Sequence, residues 1–545
     1  MPITDFLVKN AREKEDEVCL VEINPDVREK QRITWKDYSL VEPVSNAVYR
    51  KEMTWGKFDR KANRIANYLI NNGVKKGDKV AILLMNCIEW LPVYFGILKS
   101  GALAVPLNYR YSSDEIKYCL ELADVDVLVF GNEFIGRVEN ICGDIPRVKS
   151  LYYVGYGCPS FAVDFEEAIK GASKYAPDVE ISDDDYGAIY FSSGTTGFPK
   201  AILHKHRSLM HSAIVEQKHH GQTEKDVFLC IPPLYHTGAK MHWFGSLVSG
   251  SRAVLLKGVS PKWIIQTAHE ERATIVWLLV PWAQDILDAI DSGEIDLDEY
   301  DLSAWRLMHI GAQPVPPSLI QRWLKKFPSH SYDTNYGLSE SIGPGCVHLG
   351  DNIDKVGAIG KAGYGWETKI VDGDGKIVKR GDVGELAVKG DGVMSCYYKD
   401  EKATADVLRD GWLHTGDMAR EDEDGYIYLV DRKKDVIITG GENLYPVQIE
   451  DYLRKNIAIR DVAVIGMPDE RLGEIATAVI ELKPEYEGKV TEEDVYAFCS
   501  DMPRYKRPRK IIFDKVPRNP TGKIEKPKLR ERYCVDKLVE AQTTK

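Results

Sequence analysis

Short apolar segments alternate with amphipathic segments from residue 52 to residue 310, and this alternation constrains the fold more than any other feature. The spacing predicts an amphipathic helix over 55–72, a helix over 89–99, and strands at 79–84 and 102–106. The same rhythm predicts further strands at 125–130, 227–231, 253–256, 275–280 and 306–310. Strands that alternate with helices predict parallel sheets covered by helices.

The pattern changes after residue 345. Segments 384–389 and 425–430, with an Asp-Gly hairpin over 369–378, predict a small antiparallel unit. A short α+β pattern follows the charged segment 431–435. Because 545 residues exceed what one core accommodates, at least two domains are expected. We therefore predict an α/β fold: a large N-terminal domain of helix-covered sheets with a small antiparallel β unit (1–431), a hinge (432–434) and a small mobile α+β C-terminal domain (435–545).

Composition narrows the class of protein. The net charge of −11 argues against nucleic-acid binding, and the basic segment 504–510 is interpreted as a solvated loop or a local site for a phosphorylated ligand. The ten cysteines form no CxxC pair, which disfavours zinc and predicts reduced thiols in a cytoplasmic protein. The N-terminus lacks an apolar signal core, and charged residues interrupt the apolar region 80–107, so no membrane span is expected. Residues 26–48 are polar and suggest no function.

A loop of hydroxyls, glycines and one lysine follows the apolar strand 187–190. Glycines allow backbone amides to turn toward a phosphate, and the lysine adds a point charge. The spacing differs from a Walker A loop. A polar turn between two strands is the alternative. We predict that this loop binds the polyphosphate of ATP through Ser192, Ser193, Gly194, Thr195, Thr196, Gly197 and Lys200.

The whole loop resembles the phosphate-binding signature of the adenylate-forming superfamily of acyl-CoA synthetases, luciferases and peptide-synthetase adenylation domains. Further segments extend the resemblance over nearly the whole chain: 232–238, 311–314, 333–340, 414–417, 440–443 and 519–523. In segment 333–340, Ser339 replaces the usual threonine and keeps a hydroxyl.

The resemblance implies a nucleotide site and a metal site. Tyr336 offers a flat face for adenine, and Glu340 is an oxygen ligand suited to Mg²⁺ on the phosphates. Asp417 and Arg432 would contact the ribose, although a surface ion pair is the alternative. The remaining implied ATP-binding residues are Gly311, Ala312, Gln313, Asp333, Asn335, Gly337 and Ser339.

The resemblance also implies residues for the acyl group, CoA and catalysis. His236 would shape the carboxylate end of the acyl pocket, although a lone histidine is often structural. Lys523, on a Pro-Thr-Gly turn, would stabilise charge on the attacking carboxylate and the α-phosphate. Lys434 falls at the hinge, where the family often has Asp. Gly440, Gly441 and Glu442 would line the CoA tunnel.

These motifs identify the chain as a member of the AMP-forming acyl-CoA synthetases, with a carboxylic acid, ATP, Mg²⁺ and CoA as ligands. Catalysis is assigned to Lys523, Glu340 and His236. The alternatives are a stand-alone adenylation enzyme that loads a carrier protein, a luciferase-like oxygenase and a non-catalytic nucleotide-binding regulator. A homodimer remains open.

The acyl substrate is the least constrained part. If Trp243 and Trp282 face the pocket beside His236 and Gly337, they shorten it and favour a compact aromatic, alicyclic or branched short-to-medium acid. The alternatives are that these tryptophans belong to the core, or that the enzyme takes medium- or long-chain fatty acids.

Overall fold

The computed structural model describes residues 1–29, 34–35, 38–39, 48–192, 199–311, 315–348, 353–439, 442–469, 471–518 and 524–543. Its α-helices are α1 (Thr4–Glu13), α2 (Asp26–Glu29), α3 (Trp55–Asn71), α4 (Trp90–Lys99), α5 (Ser113–Leu122), α6 (Ile135–Glu139), α7 (Phe165–Ile169), α8 (His206–His219), α9 (Thr237–Ser249), α10 (Pro261–Glu270), α11 (Val280–Asp291), α12 (Pro317–Lys326), α13 (Glu401–Val407), α14 (Pro446–Leu453), α15 (Glu492–Phe498) and α16 (Lys526–Thr543). None of the helices in these ranges is long and apolar enough to cross a membrane.

The first sheet is parallel through its centre and antiparallel at both edges. From edge to edge its nine strands are β18 (Lys361–Ala362), β17 (Gly343–His348), β16 (Ser331–Leu338), β15 (Leu307–Gly311), β14 (Ile275–Leu279), β12 (Val227–Cys230), β13 (Arg252–Leu256), β1 (Val18–Ile23) and β4 (Arg50–Thr54).

The second sheet shares a helical layer with the first. Its eight strands are β21 (Cys396–Tyr397), β11 (Ala201–Lys205), β10 (Tyr186–Phe191), β6 (Leu103–Pro106), β5 (Lys79–Leu83), β7 (Val127–Gly131), β8 (Ser150–Val154) and β9 (Val163–Asp164). Helices α3, α4, α8 and α9 bury apolar side chains in one core cluster with residues of both sheets, such as Val80 and Phe228. This shared layer fixes the two sheets relative to each other.

Smaller sheets follow in the second half of the chain. An antiparallel sheet contains β19 (Glu367–Val371), β20 (Gly384–Lys389), β23 (Trp412–Glu421), β22 (Leu408–Arg409) and β24 (Ile427–Arg432), and an N-terminal hairpin pairs β2 (Thr34–Trp35) with β3 (Tyr38–Ser39). The last sheet contains β26 (Glu442–Leu444), β25 (Ile437–Thr439), β28 (Gly473–Leu482), β27 (Ile459–Asp469) and β29 (Lys510–Phe513).

The predicted fold class is confirmed, and the deviations are local. The strand predicted to end at residue 280 ends at Leu279, because Val280 begins α11 with a proline in its first turn. In the C-terminal α+β segment, helix α15 ends at Phe498 and continues as a 3₁₀ turn over Cys499–Asp501. The hairpin predicted at 369–378 is reduced to one bridge between Val371 and Ile377. The domain boundary at 432–434 remains a prediction.

Candidate nucleotide and acyl site

The predicted phosphate loop connects two paired strands. Strands β10 and β11 are antiparallel neighbours, and the Ser192 amide donates to the Lys200 carbonyl over 3.0 Å. Residues 193–198, which include Ser193, Gly194, Thr195, Thr196 and Gly197, lie outside the described part of the chain. The ends of the loop are therefore held together, while the contacts predicted for its centre remain predictions.

Lys200 and Glu340 converge on a tyrosine that the sequence analysis missed. The Lys200 Nζ lies 4.7 Å from the centre of the Tyr397 ring, and the Tyr397 hydroxyl donates to Glu340 Oε1 over 2.8 Å. Tyr397 lies on the short edge strand β21, which pairs with β11. This pairing places the loop lysine near the carboxylate predicted to bind Mg²⁺. No motif marks Tyr397 in the sequence.

Tyr336, Asp417 and Arg432 form a second group. The Tyr336 hydroxyl donates to Asp417 Oδ2 over 2.5 Å, and Arg432 Nε lies 3.0 Å from Asp417 Oδ1. Burial and the Asp417 carboxylate hold the pKa of Tyr336 well above its ordinary value, so the hydroxyl stays a donor. Asp417 is buried, so the ion pair considered above is present with its carboxylate inside the protein, and the contact with ribose remains a prediction. The group leaves Arg432 partly exposed at the edge of the site.

The start of helix α9 approaches the segment that contains Ser339. The Thr237 hydroxyl lies 3.4 Å from that of Ser339, and His204 Nε2 donates to the Ser339 carbonyl over 2.8 Å. His236 caps α9, because its Nδ1 accepts the Gly238 amide over 3.2 Å. This contact places the His236 ring proton on Nε2, which makes that nitrogen a hydrogen-bond donor. A donor at this position suits a bound carboxylate.

Asp333 and Asn335 do not join the nucleotide group as predicted. Successive residues of a strand point to opposite faces, so both side chains lie on the face of β16 opposite Tyr336. Asp333 Oδ2 accepts from His220 Nδ1 over 2.9 Å, and Asp333 Oδ1 accepts from His309 Nδ1 over 2.6 Å. The Asn335 amide donates to Glu216 over 3.1 Å. The structure therefore places neither side chain in the Tyr336–Asp417–Arg432 group, and their contact with ATP remains a prediction.

The residues that surround Asp333 form a buried group, here called the imidazole cluster: Glu216, His219, His220, His242, His309 and Asp333. His242 Nδ1 lies 2.9 Å from Glu216 Oε2, and His220 Nε2 lies 3.3 Å from the same oxygen. The cluster joins helices α8 and α9 to strands β15 and β16. Sequence analysis missed it, although the adjacent pair His219-His220 was a visible signal.

The electrostatics of the cluster follow from its burial. Although burial opposes ionisation, the imidazoles hold the pKa of Asp333 and of Glu216 well below the usual range. Burial alone would lower the pKa of His220, but the carboxylates of Asp333 and Glu216 raise it to about 10. Burial lowers the pKa of His309 to about 3. The cluster therefore holds ionised carboxylates, a charged His220 and a neutral His309.

Of the two tryptophans predicted to line the acyl pocket, Trp243 is placed in the core by its contacts. Trp243 is fully buried, and its ring contacts Phe58, Phe95 and Phe244 at centroid distances of 6.0, 5.7 and 5.6 Å. It belongs to the core between α9 and helices α3 and α4, which corrects its assignment to the pocket. Trp282 is half-buried and packs against the core cluster around α11. Neither contact supports a shortened pocket.

The remaining predicted residues are only partly described. Gly311 ends β15, and Gly337 lies near the end of β16, while Ala312 and Gln313 lie outside the described ranges. The same holds for Gly440, Gly441 and Lys523. Glu442 begins β26, and Lys434 lies in the turn between β24 and β25.

A buried ion pair beside the predicted hinge was missed by the sequence analysis. Lys526 Nζ lies 2.8 Å from Glu450 Oε1, and burial raises the pKa of the neighbouring Asp431 to about 6. These side chains connect the start of α16 to α14 and to the end of β24.

Family models and individual relatives both place the chain among the AMP-binding enzymes. Residues 9–398 match the family model described as "AMP-binding enzyme". Residues 448–523 match the family model described as "AMP-binding enzyme C-terminal domain". A long-chain-fatty-acid–CoA ligase of Mycobacterium tuberculosis is 31% identical over 93% of this chain and 97% of its own length. A 2-succinylbenzoate–CoA ligase of Bacillus cereus is 30% identical over 89% of this chain and 94% of its own.

A solved structure extends the likeness to the fold. The anthranilate–CoA ligase crystallised with anthranoyl-AMP has a TM-score of 0.86 at 26% identity, over 99% of this chain and 98% of the other. Both of the family's domains are thus matched in sequence, and the fold is matched over nearly the full length. The chain belongs to the AMP-binding enzyme family.

Proposed function

We propose that this protein is an AMP-forming carboxylate–CoA ligase that makes an acyl-CoA through an acyl-adenylate. The convergence of Lys200, Tyr397 and Glu340 beside the Tyr336–Asp417–Arg432 group carries the proposal, because it joins a phosphate-binding loop, a metal-ligating carboxylate and a polar group suited to a nucleoside. The relatives at 30% identity or more, named as CoA ligases, support the same chemistry.

In the first half-reaction a carboxylate oxygen of the acid attacks the α-phosphorus of ATP. The bond from that phosphorus to the bridging oxygen breaks, and pyrophosphate leaves. Lys200 and Lys523 would stabilise the negative charge, and the His236 Nε2 proton would orient the acid. Glu340 fits a hard cation because its carboxylate is oriented by Tyr397, and a Mg²⁺ ion held there neutralises phosphate charge when bound.

In the second half-reaction the CoA thiolate attacks the acyl carbon, and AMP leaves. One site would serve both reactions if the C-terminal domain rotates about Lys434, which withdraws Lys523 and advances the loop at Gly440, Gly441 and Glu442. The rotation and the roles of these residues are inferred from the resemblance.

The test separates the two half-reactions. Pyrophosphate exchange into ATP should depend on an added carboxylic acid, and AMP release should depend on CoA. Lys523→Ala should abolish exchange but preserve thioester formation from supplied acyl-AMP. Equal loss in both would contradict the role of Lys523. Thioester formation only on a carrier protein would favour the carrier-loading enzyme, and the absence of exchange with every acid would favour a nucleotide-binding regulator.

We also propose a cytoplasmic enzyme, since all ten cysteines are free thiols, which is the usual state in a reducing compartment. A homodimer is proposed as well, and light scattering on the purified protein measures it directly.

A further inference from the structure

A wall of aromatic rings leads from His236 to the imidazole cluster. A Cβ atom at Gly238 would lie 3.2 Å from the Trp277 ring and 3.3 Å from His236 Nδ1. The Trp277 ring lies 4.4 Å from that of His242 and 5.9 Å from that of His309, between centroids. Trp277 and His236 therefore both border the bare backbone of Gly238. An acid with its carboxylate near His236 that extended along this row of rings would meet Trp277 before the cluster.

The other end of the wall meets the strand expected to contact ATP. A Cβ atom at Gly311 would lie 3.9 Å from His309 Nε2 and 3.8 Å from the Asn335 carbonyl oxygen. His309 and Gly311 lie two residues apart on β15, so they share one face of the sheet. The His309 Nε2 thus points along this face toward the bare Gly311 backbone.

The protonation of His309 is fixed by its neighbour. A carboxylate only accepts hydrogen bonds, so the 2.6 Å contact with Asp333 Oδ1 places the His309 proton on Nδ1. The ring is neutral, and Nε2 therefore carries a lone pair. That nitrogen is fully buried and has no hydrogen-bond partner in the described ranges. A buried acceptor without a partner destabilises the folded protein, and a bound donor would satisfy it.

A second unsatisfied group lies in the same wall. The Trp277 indole N–H is buried and likewise lacks a partner in the part of the chain that the structure describes. His309 offers an acceptor and Trp277 offers a donor, whereas a methyl group satisfies neither. A hydroxyl is the small group that both donates and accepts.

We propose that the acid activated by this enzyme carries a hydroxyl group distal to its carboxylate, and that His309 Nε2 accepts the hydroxyl proton in a hydrogen bond. This inference rests on the proposed ligase function and names its substrate class. It replaces the apolar acid expected from the tryptophans. A second carboxylate on the substrate is disfavoured, because it would meet a lone pair beside the charged Asp333 and Glu216.

A metal ion is the competing occupant of the cluster. The ligand atoms of His219, His220, His309 and Asp333 lie within 4.8 Å of one another, as do those of Glu216, His220 and His242. However, both carboxylates already accept hydrogen bonds from imidazole or amide groups at 2.6–3.1 Å. The carboxylates are therefore satisfied within the protein, which is the arrangement of a hydrogen-bonded support for His309, and a bound metal is the outcome that the test below must exclude.

The experiment compares acids of equal shape with the full-length enzyme. Meta- and para-hydroxybenzoate are compared with the corresponding methylbenzoates, and ω-hydroxy aliphatic acids with their methyl-ended analogues, by kcat/KM for CoA-dependent AMP release. We expect at least one hydroxy acid to exceed its methyl analogue by about tenfold or more. Equal use of both members in every active pair, or preference for the methyl member, overturns the proposal. AMP release with no acid contradicts the ligase function itself.

Two variants assign the preference to the wall. His309→Asn keeps an N–H for Asp333 but removes Nε2, and Trp277→Phe keeps a ring but removes the indole N–H. His309→Asn should reduce the hydroxyl preference to about threefold or less, because the kcat/KM for the hydroxy acid falls more than that for its methyl analogue. If the folded His309→Asn enzyme keeps the same ratio of kcat/KM between hydroxy and methyl acids, the proposal is overturned. If His309→Asn fails to fold, the same ratio is measured on Trp277→Phe instead. About one equivalent of metal retained after dialysis, by elemental analysis, also overturns it.

Discussion

Two neighbouring tyrosines allow the Glu340 contact to be tested with a matched control. The Tyr397 hydroxyl donates to Glu340, whereas the Tyr398 hydroxyl donates to Asp124 over 3.0 Å, on the edge of the second sheet. A hydrogen bond to a charged group contributes about 1.5–3 kcal/mol. We expect Tyr397→Phe to raise the half-saturating Mg²⁺ concentration for adenylation and to lower kcat about tenfold. Tyr398→Phe should change neither, and equal effects in both variants would argue against a role for Tyr397 at the metal.

Strand β16 provides a second pair of tyrosines. The Tyr336 hydroxyl donates to Asp417, whereas the buried Tyr332 hydroxyl makes no hydrogen bond with any described residue. Tyr336→Phe releases the Asp417 carboxylate from its fixed orientation, and we expect the KM for ATP to rise about tenfold while the KM for the acid stays constant. Tyr332→Phe is the control and should leave both constants unchanged. A rise in the KM for the acid alone would move Tyr336 from the nucleotide to the acyl part of the site.

Helix α9 explains why the pocket tryptophan was assigned wrongly. Residues 237 and 239–247 of this helix are all buried, so no hydrophobic periodicity distinguishes its core side from its site side. His242 faces the imidazole cluster while the adjacent Trp243 faces the aromatic core. Elements with a clear hydrophobic period were predicted well. The predicted ends of strand β5 and helix α3 agree with the observed ends to within one residue. The sequence shows which residues are apolar, but which neighbour covers each side depends on distant helices.

The corrected position of Trp243 gives a prediction for the element. Trp243→Ala removes a ring packed against Phe58, Phe95 and Phe244, and we expect a loss of about 3–5 kcal/mol in unfolding free energy, measured by denaturant titration. Trp282→Ala, at a half-buried position on α11, should cost clearly less. The rank order of acids should be unchanged in both variants. A reordered acid series with normal stability would return Trp243 to the pocket.

At the scale of the whole molecule, the candidate site joins segments that are far apart in sequence. Lys200 immediately precedes β11, Glu340 follows the end of β16, and Tyr397 lies on β21. The three residues meet because β21 pairs with β11 at the edge of the second sheet. Motifs identified the first two residues, since each lies in a string with a distinctive composition. Tyr397 lies in no such string, and its position follows from a strand pairing that no local pattern encodes. The motif residues were therefore predictable, whereas the side chains that orient them were not.

The turn at Lys434 tests whether the two halves of the reaction depend on motion of the C-terminal domain. This turn connects β24, in the antiparallel sheet, with β25, in the last sheet, and the core clusters of the last sheet contain only residues from Ile437 onward. Proline fixes φ near −65°, so Lys434→Pro should trap one arrangement of the domains. We expect acid-dependent pyrophosphate exchange to remain within about threefold of wild type while thioester formation from supplied acyl-AMP falls about a hundredfold or more. Lys434→Ala removes the same side chain but leaves φ free, and it should preserve both steps. If Lys434→Pro forms thioester at the normal rate, the rotation axis lies elsewhere. If Lys434→Ala loses as much thioester formation as Lys434→Pro, the effect comes from the lysine side chain rather than from the backbone.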